Sequence, residues 1–234
     1  MPGRLWFVVP AAGASRRVGA AIPKQYLDLL GRTVLEHSLR VLLSHTGVAG
    51  GAVAIAAHDE GWSRLPAGLR SLVRTATGGE ERCHSVLAGL AALAGAGDDD
   101  WVLVHDAARP CLAAADLERL VAACRDDAVG GLLAVPVADT VKRAGADGRV
   151  AETVRREGLW RAQTPQMFRR GLLRRALESA IGAGEAPADE ATAVERLGLR
   201  PLLVEGSPFN IKITHPADLE FAARVLAARA QEAP

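Results

Sequence analysis

Short apolar runs alternate with amphipathic segments along most of the sequence. Residues 5–9 form an apolar run that ends at Pro10, and this pattern predicts a buried strand. Residues 33–43 carry apolar side chains at helical spacing, with Thr33 as a predicted N-cap and Glu36 three positions later. The same criteria predict strands at residues 48–57, 69–75, 101–104, 131–137, 202–204 and 210–213, and helices at residues 80–93, 116–124, 167–179 and from Pro216 onward.

The order of these elements predicts an α/β fold, in which a mostly parallel sheet carries helices on both faces. Two of the predicted strands lead directly into segments that can carry chemistry, one at Pro10 and one at His105. Ligands of open α/β sheets bind outside the carboxyl ends of the strands. We therefore expect these two segments to border the functional site.

Residues 139–160 interrupt this alternation with a polar stretch that has a turn cluster at residues 145–148. Two short segments with β-branched residues flank the turn, at residues 140–142 and 150–154, and together they predict a β-hairpin arm that stands off the main sheet. An isolated two-stranded hairpin is only marginally stable in water. We therefore expect the arm to pack on another surface, for which a second subunit is the simplest candidate.

The composition excludes several classes of protein. The formal net charge of +1 argues against nucleic acid as the main partner, because duplex binding normally requires a broad basic surface. Cys83, Cys111 and Cys124 are too scattered for a disulfide framework or a zinc site. No apolar stretch approaches the roughly eighteen residues of a membrane span, so we expect no membrane partner and a cytoplasmic protein.

A run of small residues follows the first predicted strand, and cations follow the run. Small side chains let backbone N–H groups approach a phosphate closely, and Arg17 and Lys24 add positive charge. The run lacks the Gly-Lys-Ser/Thr of a P-loop and the glycine spacing of a dinucleotide-binding turn. The alternative is an ordinary turn with solvated cations. The candidate phosphate-binding residues of this run, for which the resemblance described below implies nucleotide binding, are Pro10, Ala11, Ala12, Gly13 and Ala14.

Three further segments place polar side chains in suggestive positions. Gly79 and Ser85 lie at the start of a predicted helix, where they can present polar groups to a base edge. Taken alone, this segment is better explained as a plain glycine-initiated helix with a solvated Ser85. Asp106 and Arg109 follow a predicted strand, where a surface ion pair of little energetic value is the alternative. Lys212 alternates with apolar residues in a predicted half-buried strand, which suggests an anionic partner.

In combination these segments resemble the 2-C-methyl-D-erythritol 4-phosphate cytidylyltransferases of the non-mevalonate isoprenoid pathway. The family patterns Pro-Ala-Ala-Gly-x-Gly-x-Arg and Pro-Lys-Gln-Tyr are matched between Pro10 and Tyr26, except that Ser15 stands where the family commonly has Gly. Gly-Gly-x-x-Arg-x-x-Ser-Val, His-Asp-Ala-Ala-Arg-Pro, Asp-Thr-x-Lys, Arg-x-Gly-Leu-Trp and Asn-Ile-Lys-x-Thr follow in order. The family's Thr-Asp-Glu-Ala segment begins here with Ala188, and the resemblance continues to Pro216.

The resemblance implies a Rossmann-like nucleotidyltransferase fold, with one cytidylyltransferase domain over residues 1–234 and a dimerisation arm at about 138–160. It implies transfer of CMP from CTP to 2-C-methyl-D-erythritol 4-phosphate, Mg²⁺ held through the CTP phosphates, and a homodimer whose arms reach the partner subunits. The implied catalytic residues are Arg17, Lys24, Arg156 and Lys212. Beyond the small-residue run, the implied nucleotide-binding residues are Gly79, Ser85 and Asp106. The implied polyol phosphate-binding residues are Asp106, Ala107, Arg109, Thr140, Arg156, Thr164 and Lys212.

The sequence leaves two alternative functions open. Ribitol 5-phosphate cytidylyltransferases share the chemistry and differ in the acceptor, and the match around Thr140 and Arg156 favours methylerythritol phosphate through the resemblance alone. A nucleotide-binding module without catalysis is the second alternative, and the presence of Arg17, Lys24 and Lys212 together argues against it. A dehydrogenase is disfavoured because the dinucleotide glycine pattern is absent.

Overall fold

The computed structural model describes residues 3–13 and 22–232. The strands in this part of the chain are β1 (Leu5–Pro10), β2 (Asp28–Leu29), β3 (Arg32–Thr33), β4 (Val48–Ile55), β5 (Arg74–Thr77), β6 (Trp101–Val104), β7 (Gly130–Pro136), β8 (Val141–Ala144), β9 (Val150–Val154), β10 (Trp160–Arg169) and β11 (Leu202–Glu205). The α-helices are α1 (Val34–Ser44), α2 (Ala67–Arg70), α3 (Arg82–Ala92), α4 (Ala114–Cys124), α5 (Arg170–Gly182), α6 (Glu190–Glu195) and α7 (Pro216–Glu232), and short 3₁₀ turns lie at Lys24–Tyr26 and Trp62–Arg64. None of these helices has the length and apolar character needed to cross a membrane.

The main sheet has the strand order β11-β7-β10-β6-β1-β4-β5. Neighbouring strands from β5 to β6 pair in parallel, as do β7 and β11, whereas β10 pairs antiparallel with both β6 and β7. The sheet is therefore mostly parallel, as the sequence predicts. From β1 the chain moves first to β4 on one side and later to β6 on the other. The crevice between the carboxyl ends of β1 and β6 is thus a topological switch point, where ligands bind in such sheets.

Side-chain alternation along β1 builds two apolar layers, one on each face of the sheet. Phe7 and Val9 point to the face covered by α1 and α4, whereas Trp6 and Val8 pack with residues of α3 and α5 on the other face. The N-cap prediction for α1 is confirmed, because the Thr33 hydroxyl accepts a hydrogen bond of 3.1 Å from the backbone N–H of Glu36. A smaller apolar cluster packs α7 near the segment that precedes it.

The predicted hairpin arm forms as β8 and β9, which pair antiparallel in a small sheet of their own. Its residues are almost all exposed, including Val150. At its base the backbone N–H of Val137 donates to the carbonyl of Leu159 over 3.0 Å, so the two ends of the arm lie together.

Three predicted elements differ from the structure. Residues 167–169 belong to β10 and the helix begins only at Arg170, because apolar Met167 and Phe168 satisfy strand and helix patterns alike. The strand predicted at 69–75 divides into the end of α2 and the start of β5. Residues 210–213 form no strand but an irregular segment, tied to the loop after β6 by the Ile213 N–H, which donates to the carbonyl of Ala108 over 2.8 Å.

Candidate active site

A cleft of about 200 Å³ opens at the carboxyl ends of β1 and β6. One wall is the small-residue run after β1, and the opposite wall is the start of α3. Gly78 makes the close approach of these walls possible, because a Cβ at this position would lie 2.4 Å from the Ala12 Cβ. The cleft is lined by Pro10, Ala11, Ala12, Gly13, Lys24, Gln25, Gly79, Glu80, Glu81, Arg82, Ser85, Asp106, Ala107, Ala108 and Lys212.

Asp106 is the electrostatic centre of the cleft. Its carboxylate accepts from Arg82 Nε over 3.1 Å and from Lys212 Nζ over 2.9 Å, and Arg109 Nε lies 3.4 Å away. Burial by itself would raise the pKa of Asp106, but the charges of Arg82, Lys212 and Arg109 hold that pKa well below its usual range. The carboxylate is therefore ionised at any physiological pH. Of its three cationic neighbours, Lys212 is the most exposed.

Arg82 bridges Asp106 to a second buried acid, Glu190 at the start of α6. The guanidinium donates to both oxygens of Glu190, with 3.0 Å between Nη2 and Oε2. Burial lowers the pKa of Arg82, but the two carboxylates outweigh burial and raise it above the usual value. Burial also raises the pKa of Glu190 while the Arg82 charge opposes the shift, and the two-oxygen contact favours the ionised form.

Thr164 fixes the backbone of Asp106 and is itself hydrogen-bonded to His105. The Thr164 hydroxyl accepts from the Asp106 N–H over 3.0 Å and lies 3.0 Å from His105 Nδ1. Since His105 Nε2 faces the carbonyl of Arg109 at 3.1 Å, Nε2 carries the proton and Nδ1 accepts from Thr164. Burial lowers the pKa of His105 to about 4, so the imidazole is neutral at pH 7. The Thr164 hydroxyl thus donates one hydrogen bond and accepts another within the protein.

The cations on the open side of the cleft are carried by irregular segments. Lys24 Nζ donates to the carbonyl of Ile213 over 3.0 Å, which joins the 3₁₀ turn after the first loop to the segment that carries Lys212. That segment is fixed in turn by Asn210, whose carbonyl accepts from Arg109 Nη1 over 2.7 Å and whose amide donates to the carbonyl of Thr164 over 2.8 Å. The segments that carry Lys24 and Lys212 are therefore tied to each other and to the loop after β6.

The structure brings most of the predicted site residues together. Two of the predicted residues, Ala14 and Arg17, lie outside the described part of the chain. Arg109 and Thr164 support Asp106 from outside the cleft lining, and Thr140 and Arg156 lie on the arm. Those that line the cleft are Pro10, Ala11, Ala12, Gly13, Lys24, Gly79, Ser85, Asp106, Ala107 and Lys212.

The arm does not place its predicted residues at this cleft within one chain. Arg156 is exposed and donates to the carbonyl of Ala138 at the base of the arm, and Thr140 is also exposed. Neither residue is among those that line the cleft.

Sequence reasoning missed Arg82 and Glu190, the pair that anchors Asp106. Both belong to matched motifs, Gly-Gly-x-x-Arg and Ala-Asp-Glu-Ala, but their contact joins residues 108 positions apart. Within residues 3–13 and 22–232, no group of three or more His, Cys, Asp or Glu side chains is arranged to hold a metal ion.

Comparison with known proteins gives a consistent result. The family model described as 2-C-methyl-D-erythritol 4-phosphate cytidylyltransferase (IspD) matches residues 5–228. The curated 2-C-methyl-D-erythritol 4-phosphate cytidylyltransferase of Chromobacterium violaceum is 57% identical over 222 residues, which are 95% of this chain and 97% of the relative. That of Ectopseudomonas mendocina is 55% identical over 221 residues, 94% of each chain.

A solved structure shows the same similarity in three dimensions. The crystal structure of the Francisella tularensis 2-C-methyl-D-erythritol 4-phosphate cytidylyltransferase superposes with a TM-score of 0.83 at 34% identity, covering 95% of this chain and all of that one. The similarity therefore extends across the sheet and the elements around the cleft.

Proposed function

This chain belongs to the 2-C-methyl-D-erythritol 4-phosphate cytidylyltransferase family, and on that premise we propose that it transfers the CMP moiety of CTP to 2-C-methyl-D-erythritol 4-phosphate and releases pyrophosphate. The observation that carries the proposal is the convergence of the small-residue run, Asp106 and Lys212 on one cleft. A site for two phosphorylated substrates must neutralise charge and align the reacting groups.

In the proposed reaction, a phosphate oxygen of the acceptor attacks the α-phosphorus of CTP in line, and the bond to the β-phosphate oxygen breaks. The backbone at Ala12 and Gly13 approaches the triphosphate, since small side chains leave its N–H groups accessible. The Ala11 N–H instead donates to the carbonyl of Ala54 over 2.7 Å and fixes the start of the run. Arg17 and Lys24 stabilise the charge that grows on the α-phosphate and on the leaving pyrophosphate.

The two sides of the cleft have different roles in this proposal. Gly79 and Ser85 at the start of α3 hold the cytosine, and Ser85 is buried with its hydroxyl facing Gly78. Asp106 contacts the ribose, and Ala107 lines the same side. Lys212 holds the attacking phosphate, which its flexible, partly exposed ammonium can reach.

Arg156 and Thr140 act on the acceptor phosphate of a second copy of the chain. The exposed position of the arm and its separation from the cleft of its own chain support this part of the proposal. A two-stranded sheet gains stability by packing on a further surface, and the resulting assembly would be a homodimer of twofold symmetry. Arg156 suits the role because a guanidinium binds phosphate through two donors.

Mg²⁺ fits the cleft as a partner of the triphosphate. The Asp106 carboxylate is occupied by three cations, whereas the exposed Glu80 carboxylate on the cleft wall is an oxygen ligand of the type that Mg²⁺ prefers. The phosphates of CTP would supply most of the other ligands, and the bound ion neutralises charge on the triphosphate.

We place the reaction in the cytoplasm. All three cysteines are unpaired and buried, which suits a reducing compartment.

The test is release of pyrophosphate from CTP and Mg²⁺ with either methylerythritol 4-phosphate or ribitol 5-phosphate. The proposal expects release with methylerythritol phosphate, no release without an acceptor, and loss of turnover when EDTA removes the metal. Release with ribitol phosphate alone would keep the chemistry and replace the acceptor. CTP binding without release from either acceptor would make the chain a non-catalytic binding module.

The role of the arm has a separate test by complementation. Inactive Arg17→Ala and Arg156→Ala chains are unfolded together, mixed in equal amounts and refolded. If the arm serves the partner's cleft, each mixed dimer contains one intact site, and random mixing recovers roughly a quarter of the wild-type activity. If Arg156 serves its own chain, the mixture remains as inactive as its components.

A further inference from the structure

A continuous chain of polar contacts runs from the centre of the sheet to the cleft. The Gln166 side chain on β10 accepts from the Ala191 N–H over 2.7 Å and donates to Asp189 over 2.9 Å, which fixes the start of α6 against the sheet. Glu190 lies between Asp189 and Ala191 in the sequence, and both of its carboxylate oxygens accept from the guanidinium of Arg82. Arg82 in turn holds Asp106.

Glu190 and Lys212 lie on opposite sides of the contacts between Arg82 and Asp106, and they differ in their exposure to solvent. Glu190 has 0% exposure, so it cannot contact a ligand in the cleft. The Lys212 side chain is 43% exposed, although its ammonium rests on the same Asp106 carboxylate that Arg82 holds. All three guanidinium nitrogens of Arg82 contact the two acids. Nε contacts Asp106, and Nη1 and Nη2 contact Glu190.

Lys212 has to meet a phosphate if the proposed function is correct, and its contact with Asp106 then weakens. A buried carboxylate that loses its compensating charge is costly, and it would take up a proton or turn toward another donor. Arg82 prevents this outcome because Glu190 keeps its guanidinium in place whether Lys212 is present or not.

We infer that Arg82 and Glu190 are positioning residues for the proposed reaction: their ion pair keeps the Asp106 carboxylate charged and oriented while Lys212 moves from Asp106 to the substrate phosphate. The inference rests on the proposed function for the identity of that phosphate. The groups that face Asp106 are Arg82 from α3, Arg109 and His105 from the loop after β6, and Lys212 from the segment before α7.

The first experiment replaces Glu190 by Gln, which keeps the shape and removes the charge. We expect kcat/KM to fall by about 10-fold to 10²-fold, because small displacements of reacting groups have effects of this size. Glu36→Gln is the matched control, since Glu36 is also buried and also binds an arginine, Arg40, at 2.7 Å but does not line the cleft. Glu36→Gln should lower the unfolding temperature without changing kcat/KM.

The second experiment tests whether the Arg82–Glu190 ion pair positions Asp106 for the reaction or only stabilises the fold. Arg82→Met combined with Glu190→Leu removes both buried charges, and apolar replacement of a buried ion pair often leaves stability unchanged or improved. The inference expects this paired variant to fold normally yet to remain at least about 10-fold below the wild type in kcat/KM. Recovery of both stability and activity to within twofold of wild type would overturn it.

The third measurement follows Asp106 itself and needs no turnover. Carbon-13 NMR of the aspartate carboxyls should show Asp106 of the wild type ionised at every pH at which the protein is folded, whereas the pKa of Asp106 in the paired variant rises because the Arg82 charge is lost. An unchanged Asp106 titration would overturn the inference even if the wild type proved inactive, whereas wild-type inactivity alone would count only against the proposed function.

Arg82→Lys keeps the test decisive if the paired variant does not fold. Lysine retains the charge but carries its three donors on one nitrogen, so it lacks the planar, separated nitrogens with which Arg82 contacts Glu190 and Asp106 at once. We expect a folded protein in which the pKa of Asp106 stays low while kcat/KM falls about 10-fold. Activities of Arg82→Lys and Glu190→Gln both within twofold of wild type would refute the positioning role.

Discussion

Gly78→Ala should change the cleft by forcing its two walls apart. The new Cβ would lie 2.4 Å from the Ala12 Cβ and 2.7 Å from Ser85 Oγ, whereas ordinary contacts begin at 3.4 Å. One wall must therefore retreat by about 1 Å, and a misplacement of this size costs up to about 10²-fold in rate. Overpacking of this kind also lowers the free energy of unfolding by about 1–3 kcal/mol.

The assay measures pyrophosphate release at 25 °C together with the thermal unfolding midpoint. Each kcal/mol lost should lower the midpoint by about 2–4 °C in a chain of this length, so the variant stays folded during the assay. Gly68→Ala is the control, because a Cβ on this α2 residue meets no atom within 4 Å. If Gly78→Ala keeps kcat/KM within twofold of wild type, the close contact of the walls does not set the geometry of the cleft.

Three further predictions concern single side chains. Arg17→Ala should lower kcat by about 10²–10³-fold with an unchanged circular dichroism spectrum, and unchanged turnover would remove Arg17 from the site. Arg156→Ala should lower kcat/KM for methylerythritol phosphate but leave calorimetric CTP binding intact, and a loss of CTP binding would contradict its assignment to the acceptor. The pKa of His105 is about 4 in the folded protein and 6.5 when unfolded, so the unfolded chain binds the proton first as the pH falls. The free energy of unfolding should therefore drop by about 3 kcal/mol from pH 6.5 to pH 4. Urea unfolding at several pH values should show a shallower decrease for His105→Asn than for the wild type. Equal dependence of the unfolding free energy on pH in the two proteins would exclude His105 as the cause.

Local sequence patterns correctly predict the elements whose apolar spacing fits either helical or strand periodicity, but not both. α1 is such a case, because its cap and its apolar face both lie within residues 33–44, and both are confirmed. Met167 and Phe168 fitted either period, and their antiparallel pairing with β6 and β7 makes them part of a strand. Residues 210–213 alternate like a strand, but Asn210 is held by Thr164 and Ile213 by Ala108, so the sheet never extends to them.

The cleft was partly predictable for a related reason. The small-residue run, Asp106 and Lys212 could be identified because each belongs to a characteristic motif, and the topology brings these motifs to one crevice. The pairing of Arg82 with Glu190 could not be derived from spacing, since it depends on how β10 positions α6. Charges that meet only through the tertiary fold have no local periodicity to reveal them.

The closed base of the arm has a consequence for how such proteins can diversify. β7 and β10 are neighbours in the sheet, with Pro136 in register opposite Trp160, and the arm leaves and re-enters the chain between them. An insertion whose ends already touch can lengthen, shorten or change sequence without shifting the register of the strands that carry it. Under the proposed role of the arm in subunit contact, recognition between subunits can therefore evolve, or be redesigned, by grafting arms onto an unaltered cleft.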